Sequence, residues 1–257
     1  MSLIDRFSLN GSVAVITGAG KGIGRAIAFA YAEAGAQVVC AARTLSDVEA
    51  VASAIKAKGG DAIAVACDVT CADSREALIQ QAVAAFGKVT HLVNNAGGGG
   101  PNDPATMPWQ ELDRLLNFNV TTPYHLIQLC VPHMRAAGGG NVINISSVAA
   151  NYIQKNFSAY GTAKAALVHM TKLLSQDFAP EIRINAISPG PILTDALDKV
   201  MPAAVKEIMT KNTPLQRLGE VEDISAAALY FASPASGWVS GKILDIDGGA
   251  GVSVFPS

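Results

Sequence analysis

The chain is short of charge, of aromatic residues and of cysteine, and each shortage removes a class of function. Charged residues make up 16% of its 257 residues and leave a net charge of −2, so no basic field awaits a nucleic-acid backbone. No apolar stretch reaches the ~18 residues a membrane span requires. The opening Met1-Ser-Leu-Ile-Asp-Arg-Phe7 lacks the apolar core of a signal peptide. Cys40, Cys67, Cys71 and Cys130 are too dispersed for a disulfide framework or a Cys-x-x-Cys metal pair. Cys40 and Cys67 fall in apolar strand-like runs, where cysteine serves as a small core residue. The four histidines are scattered, so no metal is expected. There is no internal repeat, no linker and no low-complexity tract beyond Gly97–Gly100. What remains is a cytoplasmic protein with a small-molecule partner, folded as a single domain over residues 1–257.

What is present is a regular alternation of strand and helix patterns. Strand-like runs occur at 13–17, 37–42, 62–67, 91–94, 141–146, 182–187 and 242–246. Helical patterns occur at 23–34, 46–58, 73–86, 109–137, 158–179 and 221–232, with Pro132 expected to bend or break the long fourth one and Pro180 to end the fifth. Such alternation predicts an α/β fold: a doubly wound, seven-stranded parallel sheet of Rossmann type with helices on both faces. Ligands of such sheets bind at the carboxyl ends of the strands.

Two local features carry chemistry. Val13–Thr17 is followed by Gly18-Ala-Gly-Lys21-Gly22-Ile23-Gly24 and then a helical pattern closed by Gly35. Strand, glycine turn and helix form the context of a dinucleotide loop, in which pyrophosphate meets the exposed N–H groups of the helix. Tyr160 and Lys164 stand four apart, on one face of a helix. Tyrosine ionises near pH ~10, and bringing it to neutrality takes roughly 4 kcal/mol. A cation beside the phenol is the direct source of that energy, giving a proton donor and acceptor for an alcohol or ketone oxygen.

The cofactor can be read at the end of the second strand. NAD-preferring enzymes usually place an acid there for the ribose hydroxyls. Here the strand ends Val38-Val-Cys-Ala-Ala42-Arg43-Thr44, and Lys21 lies in the glycine loop. Two cations with no carboxylate between them suit a 2′-phosphate, so NADP(H) is expected over NAD(H), with Thr44 a further donor.

Thr17-Gly18-x-x-x-Gly22-Ile23-Gly24, Asn94-Asn95-Ala96-Gly97, Asn119, Ser147, Tyr160-x-x-x-Lys164 and Pro189-Gly190 stand in the order and spacing of the short-chain dehydrogenase/reductase family, which the chain resembles from about Leu9 to Gly249. The resemblance implies hydride transfer with a catalytic set of Asn119, Ser147, Tyr160 and Lys164. Tyr160 is the acid or base, Lys164 steadies it and bonds the nicotinamide ribose, Ser147 holds the substrate oxygen, and Asn119 anchors a water in the proton relay. It also implies that Asp68, with Val69 beside it, meets the adenine, and that Asn95, Ala96 and Gly97 pass the adenosine side. Pro189, Gly190, Ile192 and Thr194 reach the nicotinamide carboxamide.

The loops Asn94–Pro101, Pro189–Leu197 and Thr213–Gly219 resemble those of bacterial 7α-hydroxysteroid dehydrogenases, which implies a hydroxysteroid as the substrate. A 3-oxoacyl-carrier-protein reductase and a sugar or polyol dehydrogenase remain alternatives within the same chemistry. A non-catalytic nucleotide-binding regulator is an alternative outside it. The proline-rich 191–213 segment reads as a substrate lid, and the family resemblance implies a homotetramer.

Overall fold

The computed structural model describes residues 2–194 and 201–254. Seven strands form one sheet in the order β3-β2-β1-β4-β5-β6-β7, and every pairing in it is parallel. They are β1 (Val13–Thr17), β2 (Gln37–Ala42), β3 (Asp61–Ala66), β4 (His91–Asn94), β5 (Gly140–Ile145), β6 (Ile182–Pro189) and β7 (Ile243–Ile246). The helices are α1 (Gly22–Glu33), α2 (Leu45–Ala57), α3 (Ala72–Phe86), α4 (Trp109–Leu116), α5 (Thr122–Ala136), α6 (Ser158–Asp177), α7 (Ala203–Asn212) and α8 (Val221–Ala232).

The strand sequences explain the layering. Every residue of β1 is buried, because a central strand of a parallel sheet is covered on both faces and has no solvated side to mark with polar residues. Alternate side chains serve opposite layers. Ile16, Val38 and Cys40 pack with Ile27 and Tyr31 of α1, Val51 and Ile55 of α2 and Phe231 of α8. Val15, Val39 and Ala41 pack with Leu78 of α3, Leu126 and Met134 of α5 and Leu174 of α6. Cys40 and Cys67 lie in these two cores, as small apolar fillers.

The expected elements appear with boundary shifts of a residue or two, and one of them is changed in kind. The helix expected over 109–137 is divided by a π turn at Asn117–Thr121, while Pro132 sits inside α5 without ending it. Asn119 accounts for the position of the break. Its Nδ2 donates to the Leu115 carbonyl at 2.9 Å, a side-chain bond that competes with the helix's own ladder. α6 ends at Asp177, ahead of Pro180, as the proline requires.

Strand order reverses between β1 and β4, so the crevice opens where α1 and the loop after β4 leave the sheet on opposite sides. Of the segment read as a lid, residues 195–200 lie outside the described ones. Its helix α7 packs through Met209 on Ala250 and Val254, so this helix leans on the C-terminal segment of its own chain.

Candidate active site and dinucleotide groove

Two contiguous cavities run along the carboxyl edge of the sheet and share Lys21, Asn95 and Gly97. The first, of about 770 Å³, spans the ends of β1, β2 and β3. It is walled by Gly18, Lys21, Arg43, Thr44, Asp68, Val69, Asn95, Ala96 and Gly97, all expected from the sequence. The second, of about 570 Å³, lies at the ends of β5 and β6. Gly22, Ile23, Ser147, Tyr160, Lys164, Pro189, Gly190, Ile192 and Thr194 line it.

Gly24 differs from expectation. It is buried in α1, and a Cβ there would fall 2.4 Å from both Asn95 Nδ2 and the Gly18 carbonyl. It packs the helix closely on the strand end and is not among the residues that line the two cavities. Asn119 is also withdrawn from the cavity wall. Buried in the π turn, it accepts from Gly98 N–H and donates to Gly98 O, each at 3.0 Å, and so fixes the glycine run after β4.

The groove fits an elongated dinucleotide. The start of α1 has no side-chain cap, and its Gly22 and Ile23 line the cavity, so open N–H donors face the place where a pyrophosphate would lie. Thr17 was not singled out as a ligand, yet it orders this region. Its hydroxyl accepts from the N–H groups of Asn95 and Ala96, both at 3.1 Å, and donates to Val93 O at 3.2 Å. Asn94 turns inward and donates to Asn144 at 2.9 Å, which in turn donates to Thr171 at 2.9 Å, tying β4, β5 and α6 together.

At the β5–β6 end the reactive groups converge. Lys164 is buried and donates to the Ile145 carbonyl at 2.8 Å, with its ammonium 5.9 Å from the centre of the Tyr160 ring. Ser147 caps the short turn Val148–Ala150, accepting from Ala149 N–H at 3.2 Å, and lines the same cavity as Tyr160. Ser146 faces away, toward the Lys164 carbonyl at 3.3 Å. The glycine run supplies the opposite wall. A Cβ on Gly99 would fall 2.5 Å from the Tyr160 ring, and one on Gly97 would fall 2.9 Å from Asn119 Oδ1 and 3.2 Å from Lys164 Nζ. Those glycines leave Tyr160 and Lys164 bare on one side.

The electrostatics differ from the expectation that lysine alone lowers the phenol. Burial pushes Tyr160 above its ordinary value, and the Ser147 hydroxyl is the partner that pulls it back. Burial also draws Lys164 down to about 7. The low-dielectric pocket favours the uncharged forms of both groups, so near neutrality the phenol keeps its proton while Lys164 is within its titration range.

At the β2–β3 end the cations are not the only charges. Asp47, in the first turn of α2, lines the same cavity and pairs with Lys21 at 2.9 Å. The expectation of a carboxylate-free wall is therefore corrected. The acid is absent from the strand end but arrives five residues later, a distance that only the strand-to-helix turn closes. Asp68 is held below its ordinary value, chiefly because its Oδ1 accepts from the Thr70 N–H at 2.9 Å and the Thr70 hydroxyl at 2.7 Å. It is thus both a turn aspartate and part of the cavity wall.

Known proteins share this arrangement. A family model described as enoyl-(acyl carrier protein) reductase matches residues 18–251. An uncharacterized oxidoreductase of Mycobacterium tuberculosis (strain CDC 1551 / Oshkosh) is 48% identical over 251 residues, covering 96% of this chain and 95% of that protein. The 7α-hydroxysteroid dehydrogenase of Escherichia coli (strain K12) is 43% identical over 246 residues, covering 95% of this chain and 96% of that one. A solved 7α-hydroxysteroid dehydrogenase, complexed with NADH and 7-oxo glycochenodeoxycholic acid, superposes with a TM-score of 0.94 at 43% identity, over 97% of this chain and 98% of that one. With the groove, the Ser147–Tyr160–Lys164 cluster and these full-length likenesses together, the chain belongs to the short-chain dehydrogenase/reductase family of NAD(P)-dependent oxidoreductases.

Proposed function

We propose that this oxidoreductase interconverts a secondary alcohol and a ketone with NADP(H), and that its substrate is a hydroxysteroid oxidised or reduced at a ring position. The observation that carries the reaction is the Tyr160 phenol, sharing one cavity with Ser147 and set beside buried Lys164 on a wall cleared by glycine. The nicotinamide, when bound, supplies or accepts the hydride.

The chain's own groups move the proton. Ser147 both accepts and donates, so it can hold the substrate oxygen as alcohol or as ketone. In reduction Tyr160 gives its phenolic proton to that oxygen as negative charge develops there, and in oxidation it takes the proton back. Lys164 steadies the phenolate by its charge. Asn119 positions the glycine wall through its two bonds to Gly98. Any water that Asn119 anchors would have to be reached alongside those bonds.

The hydroxysteroid reading is supported by the 570 Å³ cavity, whose walls around Tyr160 are largely apolar: Pro101, Ile145, Val148, Phe157, Pro191 and Ile192. It is supported also by the likeness to an enzyme solved with a 7-oxo bile acid. The NADP reading rests on Arg43, which stands just past the end of β2 where NAD-preferring enzymes usually place an acid. The relative solved with NADH makes that difference testable. The 191–213 segment closes over the substrate as a lid. The chain assembles as a homotetramer, a reading favoured by exposed Trp109 on α4, Leu173 on α6 and Trp238 before β7.

The deciding assay offers 7-hydroxy and 7-oxo bile acids, acetoacetyl thioesters and simple ketones with NADPH or NADH. Turnover of the steroids with NADP(H) preferred is expected. Turnover confined to thioesters or small ketones would discard the steroid and keep the mechanism, and preference for NADH would discard the reading of Arg43. Light scattering of the eluted protein tests the tetramer.

A further inference from the structure

The cavity at the ends of β2 and β3 holds more charge than a phosphate seat needs, and of mixed sign. Arg43 is exposed, at the rim. Lys21 is 70% exposed in its side chain, yet its ammonium is paired to the Asp47 carboxylate, which is 27% exposed. Asp47 is held in place from below. A Cβ on Gly20 would fall 2.8 Å from Asp47 Cβ, so the glycine turn and the first turn of α2 are in direct contact at this carboxylate. The acid also stands where a helix start best tolerates an anion. It already occupies electrostatically the place that a second anion would want.

We propose that Asp47 is a cofactor-selectivity residue: it competes with the 2′-phosphate of NADP(H) for Lys21, and so limits how strongly the enzyme discriminates against NAD(H). The inference rests on the reading of Arg43 and Lys21 as phosphate ligands. Lys21, Arg43 and Asp47 together carry one net positive charge in place of two. A 2′-phosphate must draw Lys21 away from its carboxylate and then sit within a Debye length of that carboxylate. NAD(H), with ribose hydroxyls at that position, meets neither penalty. Arg43 makes no ion pair among the described residues, though its charge reaches Asp68 across the cavity; it carries most of the discrimination, and Lys21 contributes a fraction of what its charge would give alone. An exposed ion pair and the repulsion of a nearby phosphate are each worth only a small factor in binding, so the effect expected is about threefold to tenfold.

The test is the dissociation constant of NADPH and of NADH, from nicotinamide fluorescence, with no turnover involved. Asp47→Asn and Asp47→Ser are expected to tighten NADPH about threefold to tenfold and to move NADH by less than about twofold. In a Lys21→Met background the gain from Asp47→Asn should shrink to under about twofold. NADPH unchanged by both Asp47 variants, or NADH tightened equally, overturns the proposal. A reading independent of those variants comes from the cations: Lys21→Met must weaken NADPH less than Arg43→Ala does, and an equal or larger loss also overturns it. If Arg43→Ala leaves NADPH unchanged and the wild type binds NADH more tightly, the NADP reading fails instead.

Discussion

The two ends of the sheet hold polar clusters built from similar residues and put to opposite uses. At the amino end, Arg183 of β6 donates to the carbonyls of Phe231 at 2.9 Å and Val239 at 3.2 Å and to the Ser236 hydroxyl at 3.0 Å. His91 meets the Ala232 carbonyl at 3.1 Å and the Thr90 hydroxyl at 2.8 Å, Asn141 donates to Phe231 O at 3.1 Å, and Tyr31 donates to Ala228 O at 3.1 Å. These bonds converge on the last turns of α8 and the turn after it, tying up carbonyls that a helix end leaves open. At the carboxyl end, Lys164 and Ser147 spend part of their capacity on the backbone of Ile145 and Ala149, and together with Tyr160 they turn the remainder toward a cavity. A polar cluster whose bonds are spent within the protein, chiefly on backbone, holds a fold together. One with capacity left facing a void is able to do chemistry.

Breaking each cluster should separate the two roles. The largest effect is expected from Tyr160→Phe, which should lower kcat by about 10²–10⁴-fold. NADPH binding and melting temperature should stay near wild type, and wild-type turnover would remove Tyr160 from the mechanism. Next is Arg183→Met, which strips several carbonyls of a charged donor. A loss of about 3 kcal/mol is expected, read as a drop of roughly 6–12 °C in melting temperature, with kcat of the folded enzyme unchanged.

Gly97→Ala should come third. Its methyl would press on Asn119 and Lys164, so a fall of about tenfold in kcat/KM is expected from displacement of the pair. A change in stability alone would show that the wall is structural. The smallest effect concerns pH. Burial, reinforced by Arg183, draws His91 down to about 4 against the opposing bond to Ala232. Above pH ~6.5 the ring is neutral in both folded and unfolded chains. As pH falls from there toward 4, only the unfolded chain takes up the proton, and stability declines. His91→Gln should flatten this slope by about 1–2 kcal/mol, measured by urea melts at pH 4.5 and 7.

The comparison also shows where residue patterns are legible. The strand runs could be read because a doubly covered parallel sheet demands uninterrupted apolar segments, as in β1. The glycine loop and the Tyr160–Lys164 spacing could be read because each is a local pattern on one turn or one helix. The π turn at Asn117–Thr121 was hidden, since it arises from a side-chain bond to Leu115 that apolar periodicity does not record. Gly24 matched a motif while serving packing, because a sequence does not say which side of a glycine is crowded. Asp47 was passed over because it stands past the strand end where ribose-binding acids are sought.

By itself the sequence determined what depends on order and spacing along the chain: the alternating α/β architecture, the dinucleotide turn, and the reactive phenol with its lysine. Tertiary structure alone decided what depends on distance between segments far apart in the chain. It brought Asp47 against Lys21, cleared a glycine wall opposite Tyr160, and spent Arg183 and His91 on a helix end. Burial likewise set the charges, drawing Lys164 down to about 7 and pushing Tyr160 up. Charge interaction and desolvation depend on separation in space and on the surrounding dielectric, and neither quantity is written in the order of the residues.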